Sequence, residues 1–139
     1  MSRKIKVLSE RNQFYISKNR QKELEYFVKQ YKEWKTVVKD LDNVRSDAVI
    51  DICNNGKCYR ENDRQMINVV FKRVLYLEKI ELVDKVAREV NDILAVYLID
   101  SFVSDRTWEY YDQRYHIDCG RGKWYELRRE FLWRLDGRR

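Results

Sequence analysis

Nine residues near the end of the chain carry the side chains best suited to chemistry: Arg121, Lys123, Tyr125, Glu126, Arg128, Arg129, Arg134, Arg138 and Arg139. The chemistry they fit is recognition of duplex DNA. An arginine can bind guanine at two acceptors at once, and a glutamate can accept from the amino group of cytosine. At helical spacing, Arg121, Lys123, Tyr125, Glu126 and Arg129 fall outside the apolar stripe Trp124, Leu127, Phe131, Leu132 and Leu135, with Arg128 at its margin. Groove reading requires such donors on the first turns of a helix whose back is packed. Arg128, Arg134, Arg138 and Arg139 lie farther along the helix or beyond it and suit phosphates better than bases. The plainer alternative is an amphipathic surface helix whose arginines face water.

Other constellations are weaker. Cys53, Cys58, His116 and Cys119 supply four soft ligands, the number a structural zinc needs. The spacing of the first pair is loose for a zinc knuckle, and Cys119 is better explained as a buried turn residue, so no metal or other cofactor is expected. A nucleophile built from Cys119 and His116 reads more simply as a packed thiol beside a helix-end histidine. The acidic residues of 78–92 read as the solvated face of a helix rather than a nuclease site. The chain has neither a glycine-rich phosphate loop nor a G-x-S-x-G elbow, and the expectation is a protein that is not an enzyme.

The elements that must position these residues are helical. The 139 residues include no proline and four glycines, and 37% are charged. A chain so poor in breakers is expected to be all-α, a helical bundle. Basic residues outnumber acidic ones eleven to five over 1–40, whereas acidic residues lead eight to six over 61–100. A basic end beside a slightly acidic middle fits a polyanionic partner. No apolar run approaches the length that spans a bilayer, and the opening residues lack the apolar centre of a signal peptide. The expected location is therefore cytoplasmic, with reduced cysteines and no membrane partner.

Along the chain, Leu24, Phe27, Val28, Tyr31, Trp34, Val38 and Leu41 predict one amphipathic helix over 19–41, capped by Ser17 or Asn19. The stretch 42–61 breaks the periodicity, and Asn55-Gly56 is a turn signal. It reads as a loop or small hairpin near 49–60, and as the linker between an N-terminal part (1–60) and a C-terminal bundle (61–139). A long helix is predicted over 63–89, with a bend near 78–81 compatible with its length. Asn91-Asp92 marks a stop, followed by an apolar helix over 92–103 expected to be buried all round. Ser104 is read as the cap of a helix over 105–116. Ile117-Asp118-Cys119-Gly120 is the turn, with Cys119 buried, and the last helix begins near Arg121. Together, 104–136 reads as a helix-turn-helix.

The segment WEYYDQRYHIDCGRGKWYELRREFLWRL, residues 108–135, resembles the C-terminal helix-turn-helix of the RinA/ArpU-type phage late transcription activators. That motif is itself similar to the promoter-reading fourth region of bacterial sigma factors. Trp124, Leu127, Leu132 and Leu135 match its core positions, Cys119 its buried turn position, and Arg121, Lys123, Tyr125, Glu126 and Arg129 its DNA-facing ones. Gly120 stands where Ser or Thr is usual, and Gly122 puts a poor helix former in the opening turn. The phrase KNRQKELEYFVKQYKEWK also resembles small phage proteins with this kind of ending. The resemblance implies a phage-encoded activator that binds promoter DNA in the cytoplasm of a bacterial host and touches the host RNA polymerase. One unit offers a small interface, so a homo-oligomer or a polymerase partner is expected to supplement it. Two rival readings remain: a non-catalytic helical interaction module that binds polymerase or a phage assembly protein, and, more weakly, a small DNA-packaging subunit.

Overall fold

A computed structural model describes residues 12–55 and 60–139, with side chains for 12–43 and 67–139. Among the described residues there are six helices and no strand, which makes the chain all-α. They form two compact units. One comprises the described part of Met1–Tyr31 together with Leu82–Arg139, and the other is Lys32–Glu81. The boundary expected near residue 60 thus lies within the second unit.

Helix α1 (Lys18–Lys29) begins at Ser17, whose hydroxyl accepts the Arg20 N–H, one of the donors left unsatisfied at a helix start. It buries Gln21, Leu24, Phe27 and Val28. Their spacing makes one stripe, and the helix packs against α4 (Ala95–Val103) and α6 (Arg121–Arg138). The single helix predicted over 19–41 is instead divided at Gln30, where α2 (Tyr31–Asn55) takes over. Gln30 donates to the carbonyls of Phe27 and Val28 and closes the turn. No local breaker marks this point. What distinguishes the two sides is tertiary: the Tyr31 hydroxyl donates to Asp84 at 2.6 Å.

Of the loop or hairpin expected near 49–60, residues 49–55 are helical instead, because α2 continues to Asn55, and residues 56–59 lie outside the described residues. Asp51, Asn54 and Asn55 each weaken a helix by only a few tenths of a kcal/mol, too little to stop it. The turn signal falls where α2 ends, with Gly56 just beyond the described residues. Helix α3 (Arg60–Val90) matches the predicted long helix. In the second unit, Arg73 pairs with Asp42, and the Lys79 ammonium lies over the Trp34 ring. In the first, Val83, Val86 and Ala87 from the end of α3 are fully buried.

Asn91 ends α3 as expected, its side chain accepting the Leu94 N–H at 3.0 Å. Helix α4 is not buried all round. Leu98, Ile99 and Phe102 face the core, but Val96, and Ile93 just before the helix, stand in solvent. Ser104 closes α4 rather than opening the next helix. Its N–H bonds to the Asp100 carbonyl, and its hydroxyl to the Asp100 carboxylate. Thr107 precedes α5 (Trp108–Tyr115), which is therefore shorter than predicted.

A five-residue turn joins α5 to α6. His116 adopts the left-handed conformation at its start (φ 50°, ψ 50°), and Ile117 buries itself against Leu94, Leu98, Tyr111, Trp124 and Leu127. Cys119, the expected buried residue, is only half-buried. Ile117 has the larger apolar surface to remove from water. From the first residue of α5, the Trp108 indole N–H donates to the Cys119 carbonyl at 2.8 Å and ties the turn down.

A left-handed backbone costs an L-residue about 1 kcal/mol, which glycine avoids. His116→Gly is expected to stabilise the chain by up to about 1 kcal/mol, read as a higher midpoint in thermal or urea unfolding. An unchanged or lower midpoint would contradict the strain assigned to His116.

Candidate nucleic-acid interface

The core of the first unit sets the roll of α6. Trp124, Leu127, Phe131, Leu132 and Leu135 are all buried, as the apolar spacing predicts. Trp124 meets Tyr111 of α5 with ring centroids 5.4 Å apart. The Tyr111 hydroxyl donates to Asp100 of α4 at 2.6 Å. Burial first, and the neighbouring carboxylate second, push the Tyr111 hydroxyl well above the ordinary tyrosine range, so it remains a donor at any pH the fold survives. Three helices thus meet around one phenol.

With that face turned inward, Arg121, Lys123 and Glu126 project into solvent from the first turns of α6, and Tyr125 is half-buried beside them. Arg121 lies 3.5 Å from Glu109, and Lys123 lies 3.9 Å from Glu126. Exposed pairs of this kind contribute between nothing and about 1 kcal/mol, so a phosphate or base could displace them. Gly120 precedes the helix with extended backbone (φ −70°, ψ 158°) and no side chain to cap the first N–H groups. No acidic residue stands in the first turn, so the positive end of the helix dipole and two cations share one site. Methyl groups added at Gly120 or Gly122 would meet nothing within 4 Å.

The other proposed contacts are placed differently. Arg128, expected to reach phosphate, is 4% exposed. Its guanidinium lies 4.5 Å from the Phe102 ring centre, and Nε and Nη1 have no hydrogen-bond partner. Burial lowers its pKa from the usual arginine value. The sequence holds a signal for this: Arg128 stands four residues from both Trp124 and Leu132, hence on the buried stripe. Arg129 is half-buried, with Nε sealed from water and without an acceptor, so the exposed rim is narrower than the spacing suggests.

Arg134 pairs with Glu130 and Glu89, Arg138 with Glu89, and Arg139 with Glu23. Arg20 joins α1 to the same end of α6 by bonding Asp136 and Glu23. These terminal cations bind acidic groups of the protein itself, an arrangement that local sequence does not reveal because Glu23 and Glu89 lie far away along the chain.

His116 is exposed at the turn, while the side chains of Cys53 and Cys58 lie outside the described residues. Among the described residues, no three His, Cys, Asp or Glu side chains are placed to hold a metal. Burial pushes the Cys119 thiol above its ordinary value, which makes it a poor nucleophile and a poor ligand. Among the same residues, no helix is long and apolar enough to cross a membrane. No family model, curated protein or solved structure matches the chain.

A buried cation with unmet donors is destabilising relative to an apolar group of similar size. Arg128→Met is expected to raise stability by roughly 1 kcal/mol or more, measured by denaturant unfolding. Destabilisation would mean that Arg128 holds a compensating partner in solution. Gly122→Ala is expected to add about 0.5–1 kcal/mol by improving helix propensity at an exposed, unobstructed position. The same unfolding experiment checks it.

Proposed function

We propose that α5 and α6 act as a helix-turn-helix, that α6 enters the major groove of duplex DNA, and that the protein is a sequence-specific transcription regulator. One observation carries the reading: Arg121, Lys123 and Glu126 are all exposed on the first two turns of α6, whose start is uncapped, while Trp124 and Leu127 anchor its back. A helix held this way delivers donors and an acceptor to base edges without reorganising its core. The resemblance of residues 108–135 to phage late activators adds a class of target, promoter DNA, and host RNA polymerase as a partner. In this assignment Arg121, Lys123, Tyr125 and Glu126 make the contacts, with the outer nitrogens of Arg129 at the edge. Arg128 is structural. Arg134, Arg138 and Arg139 brace α6, and they reach phosphate only by leaving Glu89, Glu130 and Glu23.

Selection from a random duplex pool tests specificity, and the salt dependence of binding tests the contacts. Arg121→Ala is expected to weaken binding by roughly 1–3 kcal/mol if Arg121 reads a base, or to lower the salt slope by about one if it meets phosphate. Arg138→Ala is expected to lower stability more than affinity, because it removes the nearer of the two arginine partners of Glu89. No duplex binding at low salt, or an Arg121→Ala protein that binds like the parent, would sink the assignment.

A further inference from the structure

Helices α4 and α5, with the turn before α4, carry an apolar patch that the DNA reading leaves unused. Ile93 is 85% and Val96 73% exposed, the two highest values among the exposed large hydrophobic residues described. Val96 and Tyr97 are consecutive residues of the first turn of α4, and Ile93 stands in the turn just before it. Tyr97 lies 5.0 Å from Tyr115 of α5, itself nearly half exposed. This joins the two helices in one surface, and Tyr110 extends it, 6.4 Å from Tyr115.

Two arginines rim this surface. The Arg106 guanidinium lies 4.4 Å from the Tyr110 ring centre, and that of Arg114 lies 5.8 Å from both Tyr110 and Tyr115. Both are exposed, and among the described residues neither pairs with a carboxylate. This contrasts with Arg20, Arg134, Arg138 and Arg139, each of which is matched to an acid. An arginine stacked on tyrosine retains free donors along its edge.

We infer that Ile93, Val96, Tyr97 and Tyr115, rimmed by Arg106 and Arg114, form a docking surface for a protein segment that presents apolar side chains flanked by carboxylates. Charge complementarity selects the acidic flank, since two unmatched guanidinium groups border the patch. The aliphatic pair selects protein over nucleic acid. Tyrosine and arginine would also stack on bases, but Ile93 and Val96 gain from burial only against apolar groups. Exposed apolar surface bordered by polar groups is the usual form of such a site, and enrichment in Tyr and Arg is typical of the residues that dominate protein interfaces. The surface uses none of the α6 residues assigned to DNA, so the two activities are separable.

The test uses the full chain and a synthetic amphipathic helix with Leu and Phe on one face and Glu along both borders. A Glu→Gln version of that peptide and a single-stranded oligonucleotide serve as controls. The acidic peptide is expected to shift the methyl NMR signals of Ile93 and Val96. Val96→Asp, a substitution at an exposed position that leaves folding intact, is expected to weaken peptide binding more than tenfold while duplex DNA binding stays at the parent level. The paired Arg106→Gln, Arg114→Gln protein is expected to lose about threefold to tenfold, in keeping with two exposed charge contacts.

Absence of binding, or equal binding of the Gln peptide, would overturn the inference. So would displacement of the acidic peptide by the oligonucleotide, which would make nucleic acid the occupant. A parent oligomer that Val96→Asp converts to monomer would likewise overturn it, by making a second copy of the chain the occupant. Loss of duplex binding with peptide binding intact would sink the regulator reading alone.

Discussion

The roll of α6 about its own axis is set by Trp124, an indole sealed from water and wedged against Tyr111. Large aromatic side chains contribute more to a small core than any other residue type, and this pair joins the last two helices. Tyr111 is held in turn by the Asp100 carboxylate, so the seat for Trp124 is fixed from α4 as well. Once the indole is inside, helical geometry decides for its neighbours: Leu127 and Phe131 follow it inward, and Lys123 and Glu126 must face out, while Arg121, three residues before the indole, is exposed because the helix begins there. The indole N–H has no acceptor, an unmet donor that costs on the order of 1–3 kcal/mol and that the surrounding apolar burial outweighs.

Much of this can be read from the sequence, because periodicity reports burial directly. The stripe of α6, the Asn91 stop and the Ser17 cap all rest on local spacing or local hydrogen bonds, and all appear in the structure. Residue type alone misplaces Ser104, Cys119 and residues 49–55, because their roles depend on neighbours. Ser104 serves the helix before it because the Asp100 carboxylate and carbonyl are within reach. Ile117 outcompetes Cys119 for the interior. The polar residues late in α2 weaken a helix without stopping it. Arg128 differs, since its spacing places it on the buried stripe and only its charge argues otherwise.

Charge is divided unequally over the first unit. At the far end of α6, arginines from α1 and α6 meet acids from α1, α3 and α6, so the end of the chain is fastened on several sides. Near its start, the cations have only loose, exposed partners. The same residue type therefore braces one end of the helix and remains available at the other. Counting arginines along the sequence does not separate these roles, because the matching acids Glu23 and Glu89 come from distant positions.

The tyrosines around Trp124 also give the molecule an optical property. Tyr97, Tyr110 and Tyr115 lie between 5.1 and 6.4 Å from Tyr111, which touches the indole. Excitation absorbed by any of these phenols can pass from ring to ring and be emitted by Trp124. An indole shielded from solvent emits at the blue end of its range, whereas Trp133, on the surface beside Phe14, emits toward the red. The Trp124 part of the chain's own fluorescence is thus an intrinsic gauge of whether the seam between α5 and α6 is closed, with the shielded Trp34 and the half-buried Trp108 emitting alongside it.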